Sequence, residues 1–373
     1  MLKKSMNNIV VRMLMRERSR TLITIAGTGT LLLLMLFLAG IYEGVKNGST
    51  GFIRHSSAQI WACQKNSNNL LRSSSFLSNS TAEELAAVSG VKKVEAILRL
   101  LATAEIHNKN ITAFIFGIPL ESELSSPPIV RGRPVPNLGE IILDQSIVKK
   151  YNLDLGDTIR LNGDPFILAG ISRETNATVA QFSFITLTNA EQILGFESIS
   201  SFFLISVDTT IHEKKVLDDL KQNYPELSFY SKEEFIANNL DEMKTGVLPI
   251  LWTIALLGFI TGSAIISLLL YASAQEHRED YALFKALGMS QSRIAFIVLR
   301  QALLISFGGY VVALCGYVVC SPILLAFAPE ISVDINREMC MVLLGISFLL
   351  GCIGSFLSVN KLSNVYPTEV FRA

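Results

Sequence analysis

The chain has 373 residues, half of them hydrophobic, with 17% charged residues and a formal net charge of zero. A mean hydropathy of +0.42 is too apolar for an ordinary soluble globular protein and points to the membrane class. The balanced charge gives no global electrostatic attraction for nucleic acid.

Residues 1–20 carry Lys4, Asn8, Arg12, Arg16 and Arg20 at four-residue intervals, with Leu2, Met6, Ile9, Val10 and Met13 on the other side. This pattern predicts a cytoplasmic amphipathic helix whose basic stripe, above all Arg12, Arg16 and Arg20, lies in the headgroup layer. A plain positively charged flank is the alternative.

Residues 21–42 form an uncharged run of 22 residues. About 20 apolar residues cross the ~30 Å hydrocarbon core as a helix, so this is the first expected span. Its apolar part is too long for a secretory signal, and "GIYEG" after it offers no small-residue cleavage site, so an uncleaved anchor is expected. The glycines and threonines of "GTGTLLLL" would let helices approach closely.

Residues 43–244 are expected to form an extracytoplasmic (periplasmic) α+β domain that could comprise two lobes. "STAEELAAVSG" reads as a helix with a capping box, Thr81 with Glu84, and Gly90 at its end. "AEIH" and "ITAFIFGI" flank a turn at 108–110. "GEIILDQSIVKKYNLDLGDTIRLNGDPFILAGI" reads as strand, short helix, strand, a turn at 162–164, strand. "FSFITL" and "SFFLISVD" are further strands, with helices around 189–194 and 212–223 between them. Ser231 and Glu234 form a second capping box.

Residues 245–275 (the second span with a stalk), 301–329 (the third) and 339–360 (the fourth) are uncharged over 31, 29 and 22 residues. The second and third are long enough to protrude as helix. Residues 276–300 form the loop between them, 330–338 a short outside loop, and 361–373 the tail. Lys3, Lys4, Arg12, Arg16, Arg18 and Arg20 precede the first span, Arg278, Lys285, Arg293 and Arg300 sit between the second and third, and Lys361 and Arg372 follow the fourth. Only Arg337 lies in the short 330–338 loop. This asymmetry places both termini and the 276–300 loop in the cytoplasm.

The chemistry of familiar enzymes is missing from the sequence. There is no G-x-x-x-x-G-K-[ST], H-E-x-x-H, G-x-S-x-G or C-x-x-C, so neither a phosphate loop, a zinc site, a hydrolase elbow nor a disulfide framework is expected. No span contains Asp, Glu, Lys, Arg or His, the groups that carry coupling charge in ion-driven transporters.

The stretch "QEHREDYALFKALGMSQSRI" at 275–294 packs acids and bases between two apolar runs. Tyr281, Phe284, Leu287 and Gly288 give a short helix with an apolar side, acids at its start and Lys285 near its end suit the helix dipole, and Gly288 can end it in a left-handed turn. Ser290 can cap the helix that follows. Such an element can dock into a groove on a soluble partner, or be a solvated loop that satisfies the charge asymmetry.

These residues resemble a motif of the MacB/FtsX-like (type VII) ABC transporter permeases, E-[KR]-x-x-E-[IY]-[GA]-x-x-[KQR]-[AT]-[LMI]-G, matched by Glu276, Asp280, Tyr281, Ala282, Lys285, Ala286, Leu287 and Gly288. Asp280 stands where Glu is usual and His277 where a base is usual. "DYALFKALG" is most similar to the DevC-like branch, the 140–171 stretch to the family's extracytoplasmic core, and "YPTEVFRA", with Pro367, Glu369 and Arg372, to its tail.

The resemblance implies a non-catalytic bacterial inner-membrane subunit with four transmembrane helices, the large domain inserted between the first and second. ATP and Mg would be bound by a partner ABC ATPase and no cofactor by this chain. Glu276, Asp280, Tyr281, Phe284, Lys285, Leu287 and Gly288 would couple to that ATPase. It further implies a dimer with a second copy or paralogue, a periplasmic adaptor, and mechanical action on an amphiphile, lipoprotein, peptide or drug. An FtsX-like regulator of cell-wall hydrolases is the alternative function.

Overall fold

The computed structural model describes residues 13–16, 18–71, 75–177, 181–246, 248–276 and 289–362. In chain order the elements are α1 (Arg18–His55), β1 (Ile60–Gln64), β2 (Leu77–Ser78), α2 (Ser80–Ala86), β3 (Val91–Ile106), β4 (Lys109–Ile118), β5 (Ile129–Gly132) and β6 (Glu140–Asp144). Then come α3 (Gln145–Tyr151), β7 (Thr158–Leu161), β8 (Asp164–Ser172), β9 (Phe182–Thr186), α4 (Leu187–Leu194), β10 (Ile199–Ser200), β11 (Phe202–Val207), α5 (Glu213–Asn223) and β12 (Leu227–Ser231). The chain closes with α6 (Lys232–Gly246), α7 (Leu248–Glu276), α8 (Gln291–Phe327) and α9 (Arg337–Leu362).

Two compact units result, one of residues 1–40, 249–323 and 334–373, the other of Ile41–Leu248 and Leu324–Val333. Among the described residues four helices are long and apolar enough to cross a membrane: Arg18–His55, Leu248–Leu268, Gln291–Phe327 and Arg337–Phe356. Leu32, Met35, Leu36, Ile266, Ala302, Ile305, Ala313, Leu343 and Leu350 form their common core. The expected close approach occurs between α1 and α8. A Cβ on Gly309 would lie 2.9 Å from Thr28 Cγ2, and one on Gly29 2.6 Å from Val312 Cγ1, so glycine on both sides lets the backbones meet.

In the second unit a ten-stranded mixed sheet runs β12-β1-β11-β3-β4-β9-β6-β8-β5, with β7 beside β3 and β8. β3 explains why the domain reads as two lobes. Its first half pairs with β11, from Val91↔Val207 to Ile97↔Phe202. Its second half pairs with β4, from Leu98↔Gly117 to Ile106↔Lys109. Beyond that division the pairings β3–β4, β4–β9, β9–β6, β6–β8, β8–β7 and β7–β3 close on themselves. The alternating Leu98, Leu100, Ala102, Ala104 and Ile106 point into the core of this six-strand ring, with Ile147 and Val148 of α3 and Ala190 of α4 among its other buried members.

β11 sends alternate residues to two other cores, as a strand covered on both faces must. Phe203, Ile205 and Val207 face Val216, Leu217 and Leu220 of α5. Phe202 and Leu204 join an aromatic core with Trp61, Phe116, Phe182, Phe184 and Phe235. Phe52 and Ile53, at the far end of α1, are fully buried in that same core. Phe52 lies 5.1 Å from Phe184 and 5.4 Å from Phe116, ring centre to ring centre.

Local chemistry matches the expectation at several turns. Asn162 and Gly163 take φ of +49° and +100°, the left-handed pair of a two-residue hairpin turn between β7 and β8. The β3–β4 turn is made by His107 and Asn108, both at positive φ, one residue earlier than expected. The Ser231–Glu234 capping box forms in both directions, each backbone N–H meeting the other's side-chain oxygen at 3.1 Å. The Thr81–Glu84 box does not form. α2 begins at Ser80, and Asn79 before it uses its side chain on Glu191 and Ser200 instead.

Candidate functional site

The sequence nominates the loop after α7 for partner docking. Helix α7 runs as far as Glu276. Asp280, Tyr281, Phe284, Lys285, Leu287 and Gly288 lie outside the described residues. At the loop's far end the Ser290 carbonyl accepts the Arg293 and Ile294 N–H groups at 2.9 and 3.3 Å, the pattern of a helix-capping residue, and α8 starts at Gln291. Of the basic stripe, Arg12 lies outside the described residues, Arg16 is exposed, and Arg20 is half-buried. The Arg20 carbonyl accepts Thr24 Oγ1 at 2.8 Å.

A second constellation, which sequence reasoning passed over, sits in the sheet-bearing unit. Asp144 at the end of β6 is buried and caps α3 through Ser146 N at 2.8 Å. Its other oxygen accepts Thr175 Oγ1 at 2.6 Å, and that hydroxyl meets Ser172 Oγ at 2.7 Å. The neighbouring Asn176 donates Nδ2 to the Glu330 carbonyl at 2.8 Å, while Lys150 Nζ lies 3.0 Å from Glu330 Oε1. Burial would raise the Glu330 carboxyl, but its own backbone amide and Lys150 outweigh burial and hold it below the usual carboxylate range.

Against this segment runs the C-terminal part of α1. A Cβ on Gly44 would collide with the Ser332 carbonyl, one on Gly48 with the Asn176 carbonyl, and one on Gly51 with the Glu174 carbonyl. The spacing Gly44, Gly48, Gly51 keeps one helix face bare of side chains. That spacing was the legible signal, set among the charged residues that made 43–55 look like the start of a domain.

A third feature is the carboxylate of Glu95, 3% exposed on β3. It accepts the backbone N–H groups of Glu123, Leu124 and Ser125, the hydroxyls of Ser122 and Ser125, and an ion pair from Lys93. Burial works to raise its pKa; the bonds from Glu123, Ser122, Ser125 and Lys93 overcome it, and the net shift is downward. Arg99 is half-buried and donates to the Leu70 and Leu71 carbonyls at 2.8 and 2.7 Å. The buried Cys63 thiol is pushed up to about 12 by burial, which keeps it protonated and unreactive. These groups organise loops; they do not converge on a common point.

Residues 21–223 match the family model of the MacB-like periplasmic core domain, and residues 252–367 that of the FtsX-like permease C-terminal region. An uncharacterised ABC transporter permease of Methanocaldococcus jannaschii is 23% identical, over 96% of this chain and 95% of its own length. A second uncharacterised ABC transporter permease, from Mycobacterium bovis, is 21% identical, over 95% and 96%. Among solved structures, the periplasmic region of MacB from Actinobacillus actinomycetemcomitans is similar at a TM-score of 0.40 and 16% identity, over 48% of this chain and 92% of that one. The extracellular domain of the noncanonic ABC-type transporter YknZ from Gram-positive bacteria gives 0.35 and 16%, over 47% and 98%.

Proposed function

We propose, on the premise that this chain belongs to the MacB/FtsX-like (type VII) ABC transporter permeases, that it couples ATP hydrolysis on a separate ATPase to movement of its sheet-bearing unit. In this reading the chain lies in the bacterial inner membrane with both termini cytoplasmic and the sheet-bearing unit outside. It pairs with a second copy or a paralogue, since four helices do not readily enclose a path, and a closed two-fold arrangement is the common solution. Its output is export or extraction of an amphiphile, lipoprotein, peptide or drug, with a periplasmic adaptor where the system has one. ATP and Mg belong to the partner, and this chain performs no chemistry.

One observation carries the mechanical part. Helix α1 is unbroken over 38 residues, belongs to one unit up to Gly40 and to the other from Ile41, and ends with Phe52 and Ile53 in the aromatic core. At about 1.5 Å per residue it is ~57 Å long, well beyond the ~30 Å hydrocarbon core. A single rod rooted in both units can pass displacement from one to the other.

The test uses tagged full-length chain purified with its ATPase. Asp280→Lys opposes the dipole of the expected docking helix, an effect of ~0.3–1 kcal/mol before any lost ion pair. Gly288→Val puts a β-branched residue at an expected left-handed position, at about 1–3 kcal/mol. Both variants are expected at normal membrane levels, with loss of ATPase co-purification or of coupled turnover; substitutions at Gln291 or Ser292 should be milder. Wild-type binding and turnover in both would overturn the docking role.

A further inference from the structure

The segment Leu324–Val333, the last residues of α8 and most of its connection to α9, packs as part of the sheet-bearing unit. Its anchor is residues 174–176, which touch three things at once. Thr175 is tied inward to the buried Asp144. Asn176 holds the Glu330 backbone through its side chain. The carbonyls of Glu174 and Asn176 lie against Gly51 and Gly48 of α1. Glu174 adopts φ +55°, a conformation that residues with a Cβ seldom take unless their surroundings impose it. Lys150, at the end of α3, closes the far side through the Glu330 carboxylate.

We propose that residues 174–176 and Lys150 form a clasp that fastens the α8–α9 connection and the outer end of α1 to the sheet-bearing unit, so that all three move as one body. A lone ion pair as exposed as Lys150 and Glu330, at 43% and 31%, is weak and would not by itself hold a loop. Here it is the outermost of a series that includes a side-chain-to-backbone bond and three glycines without room for a Cβ. Those contacts are specific to one placement of the loop. The consequence for transport, that both α1 and the α8–α9 pair deliver movement to the unit, rests on the function proposed above. The fastening itself does not.

The experiment separates the two. In full-length chain in detergent micelles, amide hydrogen exchange is read over residues 328–333 and 174–177 for wild type, Lys150→Glu, Glu330→Lys and the double swap. Each single reversal should speed exchange in both segments by roughly fivefold or more, the size expected for losing a pair and gaining a repulsion. The double swap should restore it, with the thermal midpoint unchanged in all three. Single reversals with wild-type exchange, or a double swap that fails to restore it, would overturn the clasp. A second reading follows ATP turnover of each variant in complex with the co-purifying ATPase. Reduced stimulation in the singles and recovery in the swap support delivery of movement through the clasp. Wild-type stimulation in the singles, despite faster exchange, refutes that delivery. A wild-type chain that carries no ATPase sinks the proposed function while leaving the exchange result to judge the clasp.

Discussion

Replacing Glu95 by Gln isolates one buried charge. In the structure its Oε1 accepts Glu123 N at 2.8 Å and Leu124 N at 3.1 Å, and lies 3.2 Å from Lys93 Nζ. Its Oε2 accepts Ser122 Oγ at 2.8 Å, Ser125 Oγ at 2.9 Å and Ser125 N at 3.2 Å. Glutamine keeps one acceptor oxygen and turns the other into a donor. The serine hydroxyls can rotate to accept, but the Ser125 amide would face an NH2 group. The Ser125 N–H keeps its bond to Ser122 Oγ at 2.9 Å, so what is lost is one arm of a shared bond and the charge assistance of the others, about 1–2 kcal/mol in all. The expected cost is ~1.5 kcal/mol, close to tenfold in local opening at about 1.4 kcal/mol per tenfold. Hydrogen exchange at Glu123, Leu124 and Ser125 in the full-length chain reads this directly. In wild type the folded pKa of Glu95 is depressed, so its contribution is complete above the unfolded value of about 4.3 and is lost as pH falls through the folded value. Protection in wild type should therefore fall in acid toward that of Glu95→Gln. A change under about threefold at neutral pH would refute this account of the loop, since it would fall below even one weak hydrogen bond.

Gly309→Leu should destabilise the helical unit by about 1–3 kcal/mol or more through overpacking, seen as a lower melting temperature in detergent. Gly345→Leu, where nothing lies within 4 Å, is the control, and an equal loss there would contradict a specific close approach. For topology, cysteines placed at Ser126 and Asn360 in a cysteine-free background should differ toward an impermeant thiol reagent. Only the first is expected to react in intact spheroplasts, and reaction at the second would sink the four-span arrangement.

The apolar runs announced four helices, because twenty uncharged residues leave few alternatives. Their ends were less legible. Residues 43–55 contain Glu43, Lys46 and Arg54, which read as the start of a soluble domain. In the structure the first two pair with each other at 2.9 Å along α1, so helix continues where apolar periodicity stops. Short local signals succeeded where they were self-contained, as at Asn162 and Gly163 or Ser231 and Glu234. They failed where a distant partner competed, as when Glu191 and Ser200 engage Asn79 and α2 starts two residues early. The closed ring was invisible for a related reason: Ala104↔Leu161 and Phe114↔Phe182 join residues far apart in sequence, and no local pattern encodes which strands meet. Lys150 and Glu330 look like ordinary surface charges in sequence for the same reason.

The glycines of α1 bear on how such a helix could transmit force. Gly27, Gly29, Gly40, Gly44, Gly48 and Gly51 all lie within it, and each costs an isolated helix about 1 kcal/mol relative to alanine. Six of them would make a free-standing rod of this length soft. At four of the six, however, a neighbouring atom fills the place a Cβ would take: Val312 at Gly29, Ser332 at Gly44, Asn176 at Gly48 and Glu174 at Gly51. Packing there supplies the order that propensity withholds. The stiffness of α1 is therefore conditional on its contacts, and loosening the contacts at Gly44, Gly48 and Gly51 would soften the rod where it enters the aromatic core. On the function proposed above, a helix built this way would transmit displacement while it is gripped and yield once it is released.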